Sequence, residues 1–310
     1  MTEPLEQMHE PEHAHAQDHA HESRHHHHTH AAASQHVHGH HLLQVENLSI
    51  GFNMYESASG WSSRRVFSNV IDDLCISVHE GEIVAIVGAS GSGKTLLADA
   101  IMGLYEPNSQ VTGTIYYDGE LQTAETLAAH RGREIAFVPQ SVKALNPLMR
   151  VGKQVGGTAD DRARLFKRYK LDASVERLYP FQLSGGMARR VLLCTALISN
   201  PKLIIADEPT PGLDLELAVR AMEDFRAFAD DGGSVVLITH DIELALRAAD
   251  RIAVFKDGTI VEETSVANFA DPSLLEHEFS RALWHALPEH DFAAASVDAD
   301  AASTAGEVRS

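Results

Sequence analysis

Residues 83–87, Ile-Val-Ala-Ile-Val, run without a break into Gly88-Ala-Ser-Gly-Ser-Gly-Lys94-Thr95. An apolar, β-rich run without polar alternation reads as a strand covered on both faces, which implies a parallel sheet between layers of helices. After the loop, residues 96–102 have helix-forming composition. Strand, Gly-rich loop and helix are the context in which GxxxxGK[ST] forms a P-loop. Gly88, Ser90, Gly91, Ser92 and Gly93 would cradle phosphate, the glycines curling the backbone without Cβ clashes. Backbone N–H groups and the helix N-terminus add partial positive charge. Lys94 would reach the β- and γ-phosphates, and the Thr95 hydroxyl would ligate Mg²⁺. ATP and Mg²⁺ are the expected cofactors.

Two later runs have the same build. Residues 202–206, Lys-Leu-Ile-Ile-Ala, end in Asp207 and Glu208, and residues 234–239, Ser-Val-Val-Leu-Ile-Thr, end in His240. Open α/β sheets bind ligands at the carboxyl ends of their strands, so these side chains belong at one edge. Asp207 is expected to hold Mg²⁺ through its water shell. Glu208 is the candidate general base. A fourth strand, Ile135-Ala-Phe-Val-Pro, ends in Gln140.

Leu183-Ser184-Gly185-Gly186-Met187 adds a second anion site. Its Ser hydroxyl and consecutive glycine N–H groups would stand at the N-terminus of a helix expected over 187–199. The ordered series of P-loop, Gln140, Ser184-Gly185-Gly186, Asp207-Glu208, Asp214 and His240 resembles the ATPase subunit of an ABC transporter over about residues 42–287. That resemblance implies an α/β P-loop NTPase fold of ABC type. It would have a mostly parallel core sheet, an antiparallel β layer and a helical signature subdomain.

The resemblance also implies roles. Gln140 would touch the metal or water and link the site to the membrane partner, and His240 would contact the γ-phosphate. Ser184, Gly185 and Gly186 would bind the γ-phosphate held by a second ATPase subunit, homo- or heteromeric. Pro211-Gly212-Leu213-Asp214 would cross between the subunits, although the family more often has Ser-Ala or Thr-Ala where Pro-Gly stands. Phe52 is the candidate adenine-stacking ring. Tyr55, Trp61 and Phe67 compete with it, core packing is the other reading of Phe52, and 53–66 reads as an insertion.

Within 310 residues this leaves three zones. Residues 1–41 read as a disordered His-rich tail, 42–287 as the ATPase domain, and 288–310 as a disordered acidic, Ala-rich tail. The antiparallel layer is expected from 42–51, 66–80 and 111–118, the helical subdomain from 141–190, and a hairpin turn at residues 256–259. No run of about 18 apolar residues exists to span a membrane, and the polar N-terminus does not read as a signal peptide. Cys75 and Cys194 read as buried thiols in a reducing compartment. A net charge of −19 with neutral histidine argues against nucleic acid as a partner.

Fourteen of the 20 histidines lie in the first 41 residues, His25, His26, His27, His28 and His30 most densely. Imidazole is a good ligand for Ni²⁺ and Zn²⁺, and the interspersed acids can complete a shell. A solvated low-complexity tail and a purification tag are the competing readings. The stretch 141–155, with Leu145-Asn146-Pro147, and the closing stretch 279–288 are similar to peptide and nickel importer ATPases, although the usual His-Pro-Tyr start of the latter is missing. Membership of that branch implies two integral membrane permeases, an extracytoplasmic substrate-binding protein, and a peripheral position on the cytoplasmic face of the membrane. With the tail, nickel or another transition metal is the expected cargo, and peptide is the alternative. A non-transport ABC ATPase and a metallochaperone are further readings.

Overall fold

A computed structural model describes residues 40–58, 62–89 and 91–287, with backbone alone at 54–58 and 62–66. His25, His26, His27, His28, His30, Ser90, Trp61 and the stretch 288–310 lie outside the described residues. The described chain belongs to a single compact unit, whose sequence begins at Gly39.

The chain opens with β1 (His41–Ala58) and β2 (Ser62–His79), then β3 (Ile83–Gly88) and α1 (Lys94–Ile101). β4 (Ser109–Tyr117), β5 (Glu120–Leu121), α2 (Ala124–His130) and β6 (Ile135–Val138) follow. A helical stretch holds α3 (Val151–Val155), α4 (Ala159–Arg168) and α5 (Gly185–Ile198). Alternation then resumes with β7 (Leu203–Asp207), α6 (Leu215–Asp230), β8 (Ser234–Thr239), α7 (Ile242–Ala248) and β9 (Arg251–Lys256). β10 (Thr259–Ser265), α8 (Val266–Phe269) and α9 (Glu278–His285) end the described chain.

The core sheet has the order β10-β9-β3-β8-β7-β6 and is parallel except for the β9–β10 hairpin. Every residue of β3, β7 and β8 is buried. Successive side chains of a strand point to opposite faces, and here the faces feed two cores. Ile83, Ala85, Val87, Ile204, Ala206, Val235 and Leu237 pack with α5, α6 and α7. Val84, Ile86, Leu203, Ile205, Val236 and Ile238 pack with α1 and the second sheet. The uninterrupted apolar runs of the sequence are thus the middle layer, as expected for a parallel sheet.

The second sheet is antiparallel, in the order β2-β1-β4-β5. The stretch read as an insertion is part of it. β1 and β2 stay paired from Asn53↔Phe67 out to Ala58↔Ser62, so 53–66 is the far end of one long hairpin. β1 also takes in His41, one residue before the expected boundary. Along β2, Leu74, Ile76 and Val78 face inward while Cys75 faces out. The expectation of two buried thiols therefore fails for Cys75, because period-2 alternation puts it on the solvent side. Cys194, in α5, is fully buried, and burial pushes its thiol up to about 12.

The turn at residues 256–259 is a tight hairpin with positive φ at both Asp257 (48°) and Gly258 (88°), the type I′ geometry. The Gly258 carbonyl accepts from Asp72 N–H at 3.0 Å and so pins the core sheet to β2.

Candidate active site

The parallel register places the site. Val87 pairs with Thr239, Ile238 with Asp207, and Ala206 with Val138. The ends of β3, β8, β7 and β6 therefore bring the P-loop, His240, Asp207-Glu208 and Gln140 side by side on one sheet edge. This is the crevice that an open α/β sheet offers a ligand.

In the P-loop, Lys94 begins α1 and its side chain is nearly buried. Its ammonium donates to the carbonyls of Gly88 at 2.9 Å and Ala89 at 2.7 Å. Burial lowers its pKa, while the charges of Glu208 and Asp207 act the other way. The loop's glycines serve different ends. A Cβ on Gly88 would sit 2.1 Å from the carbonyl oxygen of Phe255 in β9, so sheet packing excludes one there. Gly91 has open space around it and needs glycine for its φ of 77°.

Asp207 is 1% exposed and neither carboxylate oxygen has a hydrogen-bond donor of normal geometry. Burial raises its pKa, and the nearby Thr95 hydroxyl partly offsets that. A buried, unsatisfied carboxylate is costly unless a cation completes it. Beside a hydroxyl, this donor set fits a hard, oxygen-liganded ion such as Mg²⁺. Thr95 and Asp207 would hold that ion.

Glu208 sits at φ 48°, a left-handed conformation that costs a non-glycine residue on the order of 1–3 kcal/mol. Its N–H donates to the Ile238 carbonyl at 2.8 Å, which holds the residue against β8. The turn aims its carboxylate at His240, whose Nδ1 lies 2.9 Å from both oxygens. Thr239 Oγ1 donates to Glu208 Oε2 at 3.5 Å. The proposed base is thus held by the neighbouring strand's end, with the His240 ring otherwise well exposed.

Gln140 is exposed, and its backbone is fixed from a residue that sequence reasoning passed over. Arg189, in α5 and 7% exposed, donates to the carbonyl of Pro139 at 2.8 Å and to that of Gln140. Burial lowers the Arg189 pKa, and Asp207 and Glu208 act to raise it. The signal was present: Arg189 lies three and four residues before the buried Leu192 and Leu193, a cation on an apolar helical stripe.

The signature helix starts two residues earlier than expected. α5 begins at Gly185, and Ser184 is its N-cap, accepting from Met187 N–H at 3.2 Å. Gly186 lies against the following turn, since a Cβ there would be 3.2 Å from the Gly212 carbonyl oxygen. Asp214 caps α6, accepting from Leu217 N–H at 2.9 Å. Among the described residues, no hydrogen bond joins Ser184, Gly185, Gly186 or Asp214 to the P-loop of the same chain. Phe52 leans partly buried against the core below the second sheet. Phe67 stands on the opposite face of the β1–β2 pair, 47% exposed. Tyr55 is described by its backbone alone.

This arrangement defines a P-loop nucleoside triphosphatase, and comparison with known proteins narrows the class. A family profile described as ABC transporter matches residues 71–211. An oligopeptide transport ATP-binding protein of Lactococcus lactis is 34% identical over 268 residues, 80% of this chain and 76% of that protein. A dipeptide transport ATP-binding protein of Haemophilus influenzae is 35% identical over 269 residues, 80% of this chain and 78% of the other. Among solved structures, a dimeric ATP-binding cassette in a post-hydrolysis state with ADP and Pi is 28% identical. It covers 72% of this chain and 98% of its own, with a TM-score of 0.62. The chain belongs to the ABC transporter ATP-binding proteins and hydrolyses ATP. Within them it falls in the peptide/nickel importer branch.

Proposed function

We propose that the chain is the ATPase of a peptide importer, working as one half of a two-chain clamp on the cytoplasmic face of a membrane. The observation that carries the ATPase chemistry is the orphaned Asp207 carboxylate beside Thr95, next to a Glu208 held by His240. Peptide as cargo rests on relatives of 33–35% identity that bear peptide-transport names. None of those names carries nickel, so peptide now ranks ahead of the metal expected from the sequence.

In the proposed cycle ATP lies along the P-loop, with Gly88, Ser90, Gly91, Ser92 and Gly93 around its phosphates and Lys94 on the β- and γ-phosphates. Lys94 must leave the carbonyls of Gly88 and Ala89 to do so. Mg²⁺, when bound, would neutralise developing phosphate charge, with Thr95, Asp207 and Gln140 around it. Glu208 polarises the attacking water, and His240 orients Glu208 and the γ-phosphate. Phe52 is the proposed stacking ring for adenine.

Ser184, Gly185 and Gly186 have no hydrogen bond to their own chain's P-loop among the described residues. We assign them, with Asp214 on the adjoining turn, to the nucleotide of a second ATPase subunit. Two permeases and an extracytoplasmic binding protein would complete the importer. No helix among the described residues is long and apolar enough to cross a membrane, which fits a subunit that depends on such partners.

A second reading, transition-metal import, is favoured by one observation, the concentration of histidine in residues 1–41. Uptake of a radiolabelled oligopeptide and of radiolabelled Ni²⁺, in cells carrying the wild type or Glu208→Gln, separates the two. Loss of peptide uptake alone supports the proposal. Loss of Ni²⁺ uptake alone makes the metal the cargo, and retention of both overturns the transport role.

A further inference from the structure

We propose that His40, Glu80 and Asp118 form a surface site for a divalent transition-metal ion of the Zn²⁺/Ni²⁺ class, away from the ATP crevice. The three residues are far apart in sequence, and each offers one ligand atom lying within 4.8 Å of the others. His40 Nδ1 is 3.7 Å from Asp118 Oδ1. A tetrahedral ion with bonds near 2.1 Å needs donors roughly 3.4 Å apart, so small side-chain rotations close the set.

The backbone fixes this spacing. His40 precedes β1, Glu80 stands in the β2–β3 turn, and Asp118 stands in the β4–β5 turn. Glu80 N–H donates to the His40 carbonyl at 3.3 Å, and Asp118 N–H donates to the Leu42 carbonyl at 2.8 Å. Asp118 is divided between two partners. Lys202 Nζ donates to its Oδ2 at 3.0 Å, which leaves Oδ1 turned to His40. The site therefore uses Asp118 through one oxygen, with water in the remaining position.

Imidazole plus two carboxylates suits Zn²⁺ or Ni²⁺ better than Ca²⁺ or Mg²⁺, which take oxygen donors alone. The Lys202 ammonium opposes any cation, so the metal must gain from the nitrogen bond. Further imidazoles gather at this end of the second sheet. The His79 ring packs 4.4 Å from that of His41, and the His130 ring packs 4.9 Å from that of Tyr117, next to Asp118. His40 and His41 are the last histidines of the histidine-rich residues 1–41. The site itself uses none of residues 1–39, and nothing in it depends on the cargo.

The test uses the full-length chain with every histidine from His9 to His38 changed to Ser, which silences the tail. Zn²⁺ binding is read by competition with a chromophoric chelator. One equivalent of Zn²⁺ should remain, and adding Glu80→Gln with Asp118→Asn should weaken it at least tenfold. Both changes are isosteric, and an unchanged thermal unfolding midpoint without metal verifies that the fold is intact. Absence of any Zn²⁺ binding in the tail-silenced chain overturns the site. So does an equivalent that the double substitution leaves untouched.

Discussion

Arg189→Met removes the side chain that ties the signature helix to the loop carrying Gln140. In the native chain the guanidinium makes two charge-assisted bonds, to the carbonyls of Pro139 and Gln140. Bonds to charged groups contribute about 1.5–3 kcal/mol each. Pro139 is half-buried and Gln140 exposed, so water replaces part of what is lost and the low end applies. That gives a loss of about 3 kcal/mol for the pair. Against it, Met relieves a buried cation whose Nε has no partner, which returns about 1 kcal/mol. The net cost is about 2 kcal/mol, or a fall of about 4–8 °C in Tm for a domain of this size.

The kinetic effect should exceed the thermal one. Pro139 and Gln140 continue directly from β6, so freeing their carbonyls lets Gln140 drift from the crevice. A misplacement of about 1 Å costs up to about 10²-fold in rate. Differential scanning fluorimetry and steady-state ATPase of Arg189→Met and Arg189→Lys form the assay. Lys keeps the positive charge but lacks the planar fork that fits both carbonyls here, so its losses should fall between those of wild type and Met. The reasoning is refuted if Arg189→Met keeps Tm within about 1 °C of wild type, well inside the expected shift. It also fails if Lys and Met behave alike.

Three other outcomes follow from the same geometry. Asp207→Asn should abolish Mg²⁺-dependent hydrolysis and yet raise Tm without nucleotide or Mg²⁺, since it removes an unsatisfied buried charge costing roughly 1–3 kcal/mol. The Asp207 pKa is raised on folding, so its charge is unfavourable above the folded pKa and the penalty fades as pH falls toward the ordinary carboxylate value. Asn should flatten that part of the Tm–pH curve, and an unchanged curve would contradict the assignment. Gly88→Ala should give little folded protein by expression and circular dichroism, because its Cβ would lie 2.1 Å from a β9 carbonyl that cannot swing away. Tyr169→Phe should cost about 1–2 kcal/mol in urea unfolding, the contribution of the buried hydroxyl that donates to Asp224 at 2.5 Å. The loss should stay modest because Arg168 still pairs with Asp224.

The fold was legible wherever one local rule settled the matter. Uninterrupted apolar runs mean strands covered on both faces, and those of β3, β7 and β8 stand in the middle of the sheet. Asp257-Gly258 supplied the two positive φ angles of a hairpin turn. The long β1–β2 hairpin was not legible. Its outer half, with Glu56, Ser57, Ser62, Ser63, Arg64 and Arg65, has no apolar alternation to announce strands. Pairing between backbones carries it instead, and backbone pairing leaves little trace in composition. The exposure of Cys75 was not legible for a related reason, since its two apolar neighbours belong to the other face of β2.

In the crevice, what the sequence left unseen is what the motifs cost and what holds them. Motif letters name Lys94, Asp207 and Glu208, but not that one ammonium is buried on carbonyls, one carboxylate is orphaned and one backbone is left-handed. Each of these is unfavourable to an empty fold, and they cluster within one crevice. Local rules fail together at sites kept for function rather than stability. The supports are contacts between segments distant in sequence. Arg189 reaches back about 50 residues to Gln140, and His240 reaches back 32 to Glu208. The first carries no motif and shows in the sequence only as a cation on an apolar helical stripe, without its partner. The second was legible only as far as the expectation that both strand ends lie on one sheet edge, and the contact itself comes from the structure. Chemistry at strand ends is readable from sequence to the extent that sheet order is, and side chains reaching in from helices must be read from structure.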